Sequence, residues 1–284
     1  MQVFSRHFYS LMRKFKVFLT TLAFVWLWIC GFWAIYRYFG SGAIAWLGLL
    51  LNAWALPLWM LLRSIWPEKY RGDQRESAAF AAVLAGLAVV LLTDTDRGQP
   101  VYLAICNLFI FLVYLFHLSA VRHPDMPAVD SRFPELVVTS CKIWHAEEYA
   151  RRNNFCGLLL IFLRGRCCAD SRALIAELRE LSPHLQKRSV GLVLFSTSPA
   201  SDWGGSGQLA AEILQLESGA CANLPFVVAG GAPLLPCSRT TAAARPCQWL
   251  LDSEGVVVWR HLPHNYRTPG SADLLRSQLF RLEE

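Results

Sequence analysis

Long apolar runs dominate the first 121 residues, and the pattern changes character beyond them. A helix that crosses a bilayer needs about 20 predominantly apolar residues. Residues 17–36 (VFLTTLAFVWLWICGFWAIY) meet that requirement. The run is too long and too aromatic for a signal-peptide core, and no small-residue cleavage site follows it. A second run covers residues 43–62 and contains Asn52 and Pro57. The third, residues 78–93, is alanine-rich and short; the fourth, residues 101–121, contains Asn107 and His117. Trp33, Tyr36, Tyr38, Trp59, Trp66 and Tyr102 cluster near the ends of these runs, as an aromatic belt at a bilayer surface does. The pattern predicts a membrane α-helical bundle of about four spans over residues 1–121, with the lipid bilayer as its partner.

Residues 122–134 (RHPDMPAVDSRFP) break every periodicity and read as a linker. Beyond it, helical and strand patterns alternate. Residues 142–153 read as a helix. Gly157–Leu163 (GLLLIFL) is a continuous apolar run, as a buried central strand is. Residues 171–181 carry Leu174, Ile175, Leu178 and Leu181 at helical spacing. Residues 190–195 predict a second buried strand, 208–216 a second helix, and 226–228 a short strand. Residues 248–251 and 256–259, joined by Asp252-Ser253-Glu254-Gly255, predict a hairpin. Residues 271–282 predict a closing helix with Ser271 as its N-cap. Buried strands alternating with helices predict a three-layer α/β domain over residues 135–284.

Composition supports the division. Of the 284 residues, 54% are hydrophobic and only 17% charged, against roughly 25% charged in average soluble domains. The deficit lies in the apolar half. The formal net charge of +6 would suit nucleic acid, but the early basic residues flank apolar runs, so a cytoplasmic flank explains them and no nucleic-acid partner is expected. Arg6, Arg13, Lys14 and Lys16 precede the first run, and Arg63, Lys69, Arg71 and Arg75 follow the second. The other turns hold Arg37 and, in TDTDRGQP, Asp94, Asp96 and Arg97. The positive-inside rule then places both termini in the cytoplasm, in a multi-pass protein of the plasma (inner) membrane. An interfacial third helix would invert the side of the C-terminal domain. The nine cysteines form no paired CxxC zinc pattern and no regular secreted framework, which fits a reducing compartment.

The segment with chemical potential is LIFLRGRCCADSRALIAEL, residues 160–178. A buried strand ends at Leu163, a glycine-containing loop follows, and a helix starts near Ala169. Cys168 thus stands at a helix N-terminus, where unpaired amides and the macrodipole favour an anion and lower a thiol pKa. Arg164, Arg166 and Arg172 add to that effect; Asp170 opposes it.

These residues resemble the thioredoxin-fold redoxins, and within them the peroxiredoxin-like group related to alkyl hydroperoxide reductase C and thiol-specific antioxidant proteins. In that group the strand runs into Arg-Gly-x-Trp-Cys-Pro-x-Cys. Arg164, Gly165 and Cys168 match; Cys167 replaces the Trp, Ala169 the Pro and Ser171 the second Cys. Downstream, Trp249, Leu250, Leu251, Asp252, Gly255 and Val256 follow the family's hairpin, and PFVVAGG (225–231) resembles the strand before it. The resemblance spans roughly residues 133–284. It implies a thioredoxin-like fold, a thiol oxidoreductase or weak peroxidase with antioxidant activity in cell redox homeostasis, and Cys168 as nucleophile. It further implies a cis-proline at Pro246 beside that cysteine, Cys247 as the resolving thiol, Arg164 and Arg245 as stabilisers of thiolate or substrate, and a thiol reductant or partner protein. Gly165 stands where true peroxiredoxins have a peroxide-orienting Thr, and Ser171 rules out a dithiol cycle within the motif. No cofactor and no metal are expected.

Each candidate also has a plainer reading. Cys168 is otherwise a leftover thiol, and Cys247 a filler of a small slot beside the proline. Cys221 and Cys237 read as loop or core thiols. His145 reads as part of a solvated helix face with Glu148 and Tyr149, and His261 and His264 as loop residues, although their spacing could hold a metal. Two other functions stand beside a membrane-anchored oxidoreductase: a redox-inactive interaction or scaffold domain on a membrane anchor, and a small transporter with an accessory redoxin domain. Intramembrane ionisable groups are functional hypotheses by default, and the apolar runs carry almost none.

Overall fold

The structure, a computed structural model, describes residues 2–69, 76–121, 123–165, 168–203, 211–229, 242–265 and 270–282. Two compact units emerge: residues 1–66 with 74–120, and residues 67–73 with 121–284.

The first unit is helical. It comprises α1 (Gln2–Ser41), α2 (Ile44–Ile65), α3 (Ser77–Thr93) and α4 (Gln99–Val113), the last extended by a π-type turn over Tyr114–Leu118. Among the described residues, three segments are long and apolar enough to cross a membrane: Phe18–Ser41, Ile44–Ile65 and Gln99–Leu118. α3 is equally apolar but has 17 residues, a rise of about 25 Å. Small and polar side chains join the helices. Gly48 on α2 faces Gly86 on α3 so closely that a Cβ at Gly86 would lie 2.6 Å from the Asn52 amide nitrogen and from the Gly48 carbonyl oxygen. Beside that contact, Asn52 Nδ2 donates to Val83 O at 2.9 Å. Trp26 Nε1 donates to Asn107 Oδ1 at 3.0 Å and ties α1 to α4. Such bonds are ordinary polar packing contacts between apolar helices.

The second unit is built on a mixed five-stranded sheet. Its strands are β3 (Gly157–Leu163), β4 (Val190–Ser196), β5 (Ala211–Gln215), β8 (Cys247–Asp252) and β9 (Val257–His261), in the order β5-β4-β3-β8-β9. β3, β4 and β5 are parallel; β8 and β9 run antiparallel. Every residue of β3 and β4 is buried, which explains their unbroken apolar runs: both faces of the sheet are covered. On one face Leu159, Ile161, Leu163, Leu192 and Leu194 pack against Leu174, Leu178 and Leu181 of α6 (Ala169–Lys187) and Leu275 of α7 (Ala272–Gln278). On the other, Leu158, Leu160, Phe162, Phe195, Trp249 and Leu251 meet Phe133, Phe226 and α5 (Ala146–Arg152). Short pairs β1 (Leu136–Val138) with β2 (Lys142–Trp144), and β6 (Val227–Ala229) with β7 (Ala242–Ala244), complete that layer.

Two expected helices differ from the structure. Residues 142–144 form strand β2 because Trp144 pairs with Leu136 and lies buried edge-on to Phe195, so only Ala146–Arg152 is helical. Residues 211–215, expected to be helical, form β5, a parallel partner of β4 that sends Ala211 and Ile213 to one core and Leu214 to the other. Residues 208–210 lie outside the described residues. The stretch expected to be a linker belongs to the second unit: Asp130, Ser131 and Phe133 share backbone hydrogen bonds with Val257 and Gly255. The expected N-cap is present, with Ser271 Oγ accepting from Leu274 N at 3.3 Å. Glu177 reaches from α6 to accept the neighbouring Ala272 amide at 3.0 Å, pinning α7 to α6.

Candidate active site

β3 ends at Leu163 and α6 begins at Ala169, so Cys168 falls at the helix N-cap with extended backbone (φ −82°, ψ 117°). A turn closes the loop: Cys168 N donates to Gly165 O at 3.0 Å. Gly165 has φ +143°, a conformation that side-chain-bearing residues rarely adopt. The nearest atom to a Cβ there would be Ser198 Oγ at 3.8 Å. Backbone shape, not lack of room, keeps a threonine from this position. Arg166 and Cys167 lie outside the described residues.

The environment of the sulfur is mixed. Ser171 Oγ accepts the Arg164 amide at 3.1 Å, and both its hydroxyl and its amide favour the Cys168 thiolate, as does the Arg164 charge. Against them, Cys168 is 3% exposed, and its thiol donates to Asp170 Oδ2 at 3.6 Å. Burial, and after it the Asp170 carboxylate, raise the thiol pKa. The expectation of a lowered pKa is therefore corrected: the helix N-terminus is present, but desolvation and a neighbouring carboxylate outweigh it.

Cys247 opens β8 opposite Phe162. Its side chain belongs to the core layer with Phe226 and Trp249, on the sheet face away from α6. Its thiol lies 3.0 Å from Arg245 O, and burial pushes its pKa well up while Arg245 pulls it down. Both cysteines are free thiols. The groups that act on Cys168 are Asp170, Arg164 and Ser171. The Arg245–Pro246 peptide is trans, as are all peptides among the described residues, which corrects the expected cis-proline. The structure thus brings together Cys168, Arg164 and Ser171, with Asp170 added, and sets Cys247 into the core. The direct thiol–carboxylate contact depends on side-chain rotation, so residue spacing carried no signal for it beyond the presence of an acid two positions on.

Among the other candidates, His145 pairs with Glu135 at 3.6 Å instead of with Glu148. Cys221 is exposed, and Cys237 lies outside the described residues. No group of three potential metal ligands occurs among the described residues. In the first unit, an apolar cleft of about 340 Å³ is lined by Leu22, Trp26, Cys106, Phe109, Ile110 and neighbours. Its described lining carries no carboxylate, imidazole or amine.

The second unit places a strand, helix and parallel strand beside an antiparallel hairpin, with helices on both faces. That is a thioredoxin-like fold with a mixed sheet. No family model matches the chain, and no curated protein does. Among solved structures, the chain is similar to peroxidoxin BcpB from Mycobacterium tuberculosis, at 13% identity over 57% of this chain and 97% of that one, with a TM-score of 0.40. It is similar to a thiol peroxidase from Chromobacterium violaceum, at 17% identity over 58% and 92%, TM-score 0.40. A peroxiredoxin-like protein from Aquifex aeolicus is likewise similar, at 11% identity over 57% and 92%, TM-score 0.40.

Proposed function

We propose that the chain is a membrane-anchored, single-cysteine thiol oxidoreductase of the peroxiredoxin-like type, with Cys168 as nucleophile. The observation that carries this reading is the position of the sulfur: at the N-cap of a 19-residue helix, reached by the Ser171 amide and hydroxyl and by the Arg164 charge. Those groups favour the anionic sulfur that does the chemistry. The sulfur attacks one oxygen of a hydroperoxide, an S–O bond forms and the O–O bond breaks. The thiol proton passes to the departing alkoxide, leaving a Cys168 sulfenic acid and an alcohol. A thiol from outside the domain then condenses with the sulfenic acid, releasing water, and a second thiol frees Cys168 from the mixed disulfide. An external thiol fits better than Cys247, which is committed to the core. Because burial and Asp170 keep the resting thiol protonated, turnover is slow. The apolar helices hold the domain at the plasma (inner) membrane, facing the cytoplasm.

The same burial and the Asp170 contact favour a second reading, a redox-silent thioredoxin-fold interaction domain on a membrane anchor. The two are separated by exposing the detergent-solubilised full chain to dilute peroxide with dimedone and locating adducts by mass spectrometry. The oxidoreductase reading expects a dimedone adduct on Cys168 that vanishes in Cys168→Ser together with thiol turnover. Adducts on the exposed Cys141, Cys156 and Cys221 with none on Cys168 would establish the silent domain instead.

A further inference from the structure

Hydrogen bonds fasten the stretch that leads the chain into the second unit at several points. Val121 N donates to His264 O at 2.8 Å, and His123 Nε2 lies 2.8 Å from Pro263 O. A carbonyl only accepts, so Nε2 carries the proton of the neutral ring. Arg260 donates to Met126 O at 3.1 Å and to Pro127 O at 2.7 Å. Asp130 N donates to Val257 O, Val257 N to Ser131 O, and Phe133 N to Gly255 O, each at 2.9 Å. The segment therefore lies along the outer edge of β9, with His123 at its head.

The charged and titratable groups that act on that imidazole are basic side chains. Arg245 from the β7–β8 connection, His261 at the end of β9 and His264 from the following loop all act on it, and no carboxylate does so among the described residues. Asp125, on the segment itself, is exposed. The ring is partly buried, and its Nδ1 is buried without a hydrogen-bond partner among the described residues. Protonation would add an N–H that finds no acceptor among the described residues and a charge that Arg245 opposes. Burial, the largest cause, holds the His123 pKa below its usual value of 6.5; the Pro263 carbonyl, next in size, works the other way, and Arg245, His264 and His261 add to the lowering.

We infer that His123, surrounded by His261, His264 and Arg245, is an acid-released clasp that fastens residues 121–133 to the edge of β9. The sign follows from linkage. The clasped state prefers the neutral ring, so this contribution is complete above the unfolded histidine value of about 6.5. It is lost as pH falls through that value toward the lower one of the clasped state. Release bares the β9 edge and slackens the entry strand, independently of whether Cys168 turns over. The clasp also shares Arg245 with the Cys247 thiol.

The test is hydrogen–deuterium exchange of residues 121–133 in the detergent-solubilised full chain at pH 7.5 and 5.5, corrected for the intrinsic pH dependence of exchange. Opening should rise by up to ~10-fold on acidification in the native sequence. It should rise far less in His123→Gln, whose amide still donates to Pro263 O but does not titrate. An equal rise in both proteins, or none in the native one, overturns the clasp. Should His123→Gln fail to fold, Arg245→Gln decides: with that charge removed the acid response must weaken, and an unchanged response rejects the proposal.

Discussion

At the scale of single residues, the reactivity of Cys168 is a contest between burial with Asp170 on one side and Arg164 with Ser171 on the other. Ser171 and Arg164 favour the thiolate, whereas Asp170, at 3.6 Å from the sulfur, favours the thiol. The thiolate is the reactive species, so removing the carboxylate charge must lower the thiol pKa and move the alkylation curve to lower pH. Asp170→Asn is therefore expected to react several-fold faster than the native protein with iodoacetamide at pH 8, read as Cys168 modification by mass spectrometry. An unchanged rate would leave burial as the sole control. The position of this cysteine was legible from LIFLRGRCCADSRAL, because an apolar strand, a glycine and a helical pattern are local signals. Its burial was not, since that depends on what packs over the helix start. Cys247 teaches the complementary lesson. Its place next to Pro246 was legible from the chain order, whereas its burial among Phe162, Phe226 and Trp249 is set by strand register.

At the scale of elements, the clearest divergence is β5. Residues 208–216 read as a helix, because Leu209, Ile213 and Leu216 are also compatible with helical spacing. Short apolar runs are ambiguous between the two periods. The free edge of β4 resolved the ambiguity in favour of a strand, since pairing there satisfies a ladder of backbone groups while half-burying Ile213 and Leu214 on opposite faces. Asn223, fully buried, then locks β1 to the sheet end by accepting Val137 N and donating to Val137 O and Glu217 O. In the helical unit the decisive element contact is α2 on α3. A Cβ at Gly86 would meet backbone atoms of Gly48 and Asn52, which cannot turn aside as a side chain can. Gly86→Val should therefore force the helices apart and cost about 1–3 kcal/mol. Denaturant or SDS titration of the purified full chain would register that loss, whereas Gly40→Val, with nothing within 4 Å, should leave the midpoint in place.

At the scale of the molecule, two units of different composition share one chain. The orientation expected from Arg and Lys placement leads to a direct measurement. Cys141, Cys156 and Cys221 are exposed on the second unit. In intact cells a membrane-impermeant maleimide should leave them unmodified until the membrane is permeabilised. Labelling before permeabilisation would place the domain outside and would mean that α3, with 17 residues, does not span.

What the amino-acid order determined by itself was local and compositional: the apolar runs of the helical unit, the buried β3 and β4, the β8–β9 hairpin, the Ser271 cap and the placement of Cys168 at a helix start. Each follows from periodicity or from the chemistry of a few neighbouring residues. Tertiary structure alone decided that residues 211–215 pair as a strand, that residues 121–133 clasp β9 instead of hanging free, that Cys247 turns into the core, and that Cys168 is buried beside Asp170. Those outcomes depend on which surfaces meet across the sheet, and burial and electrostatic pairing are properties of such meetings, not of residue order.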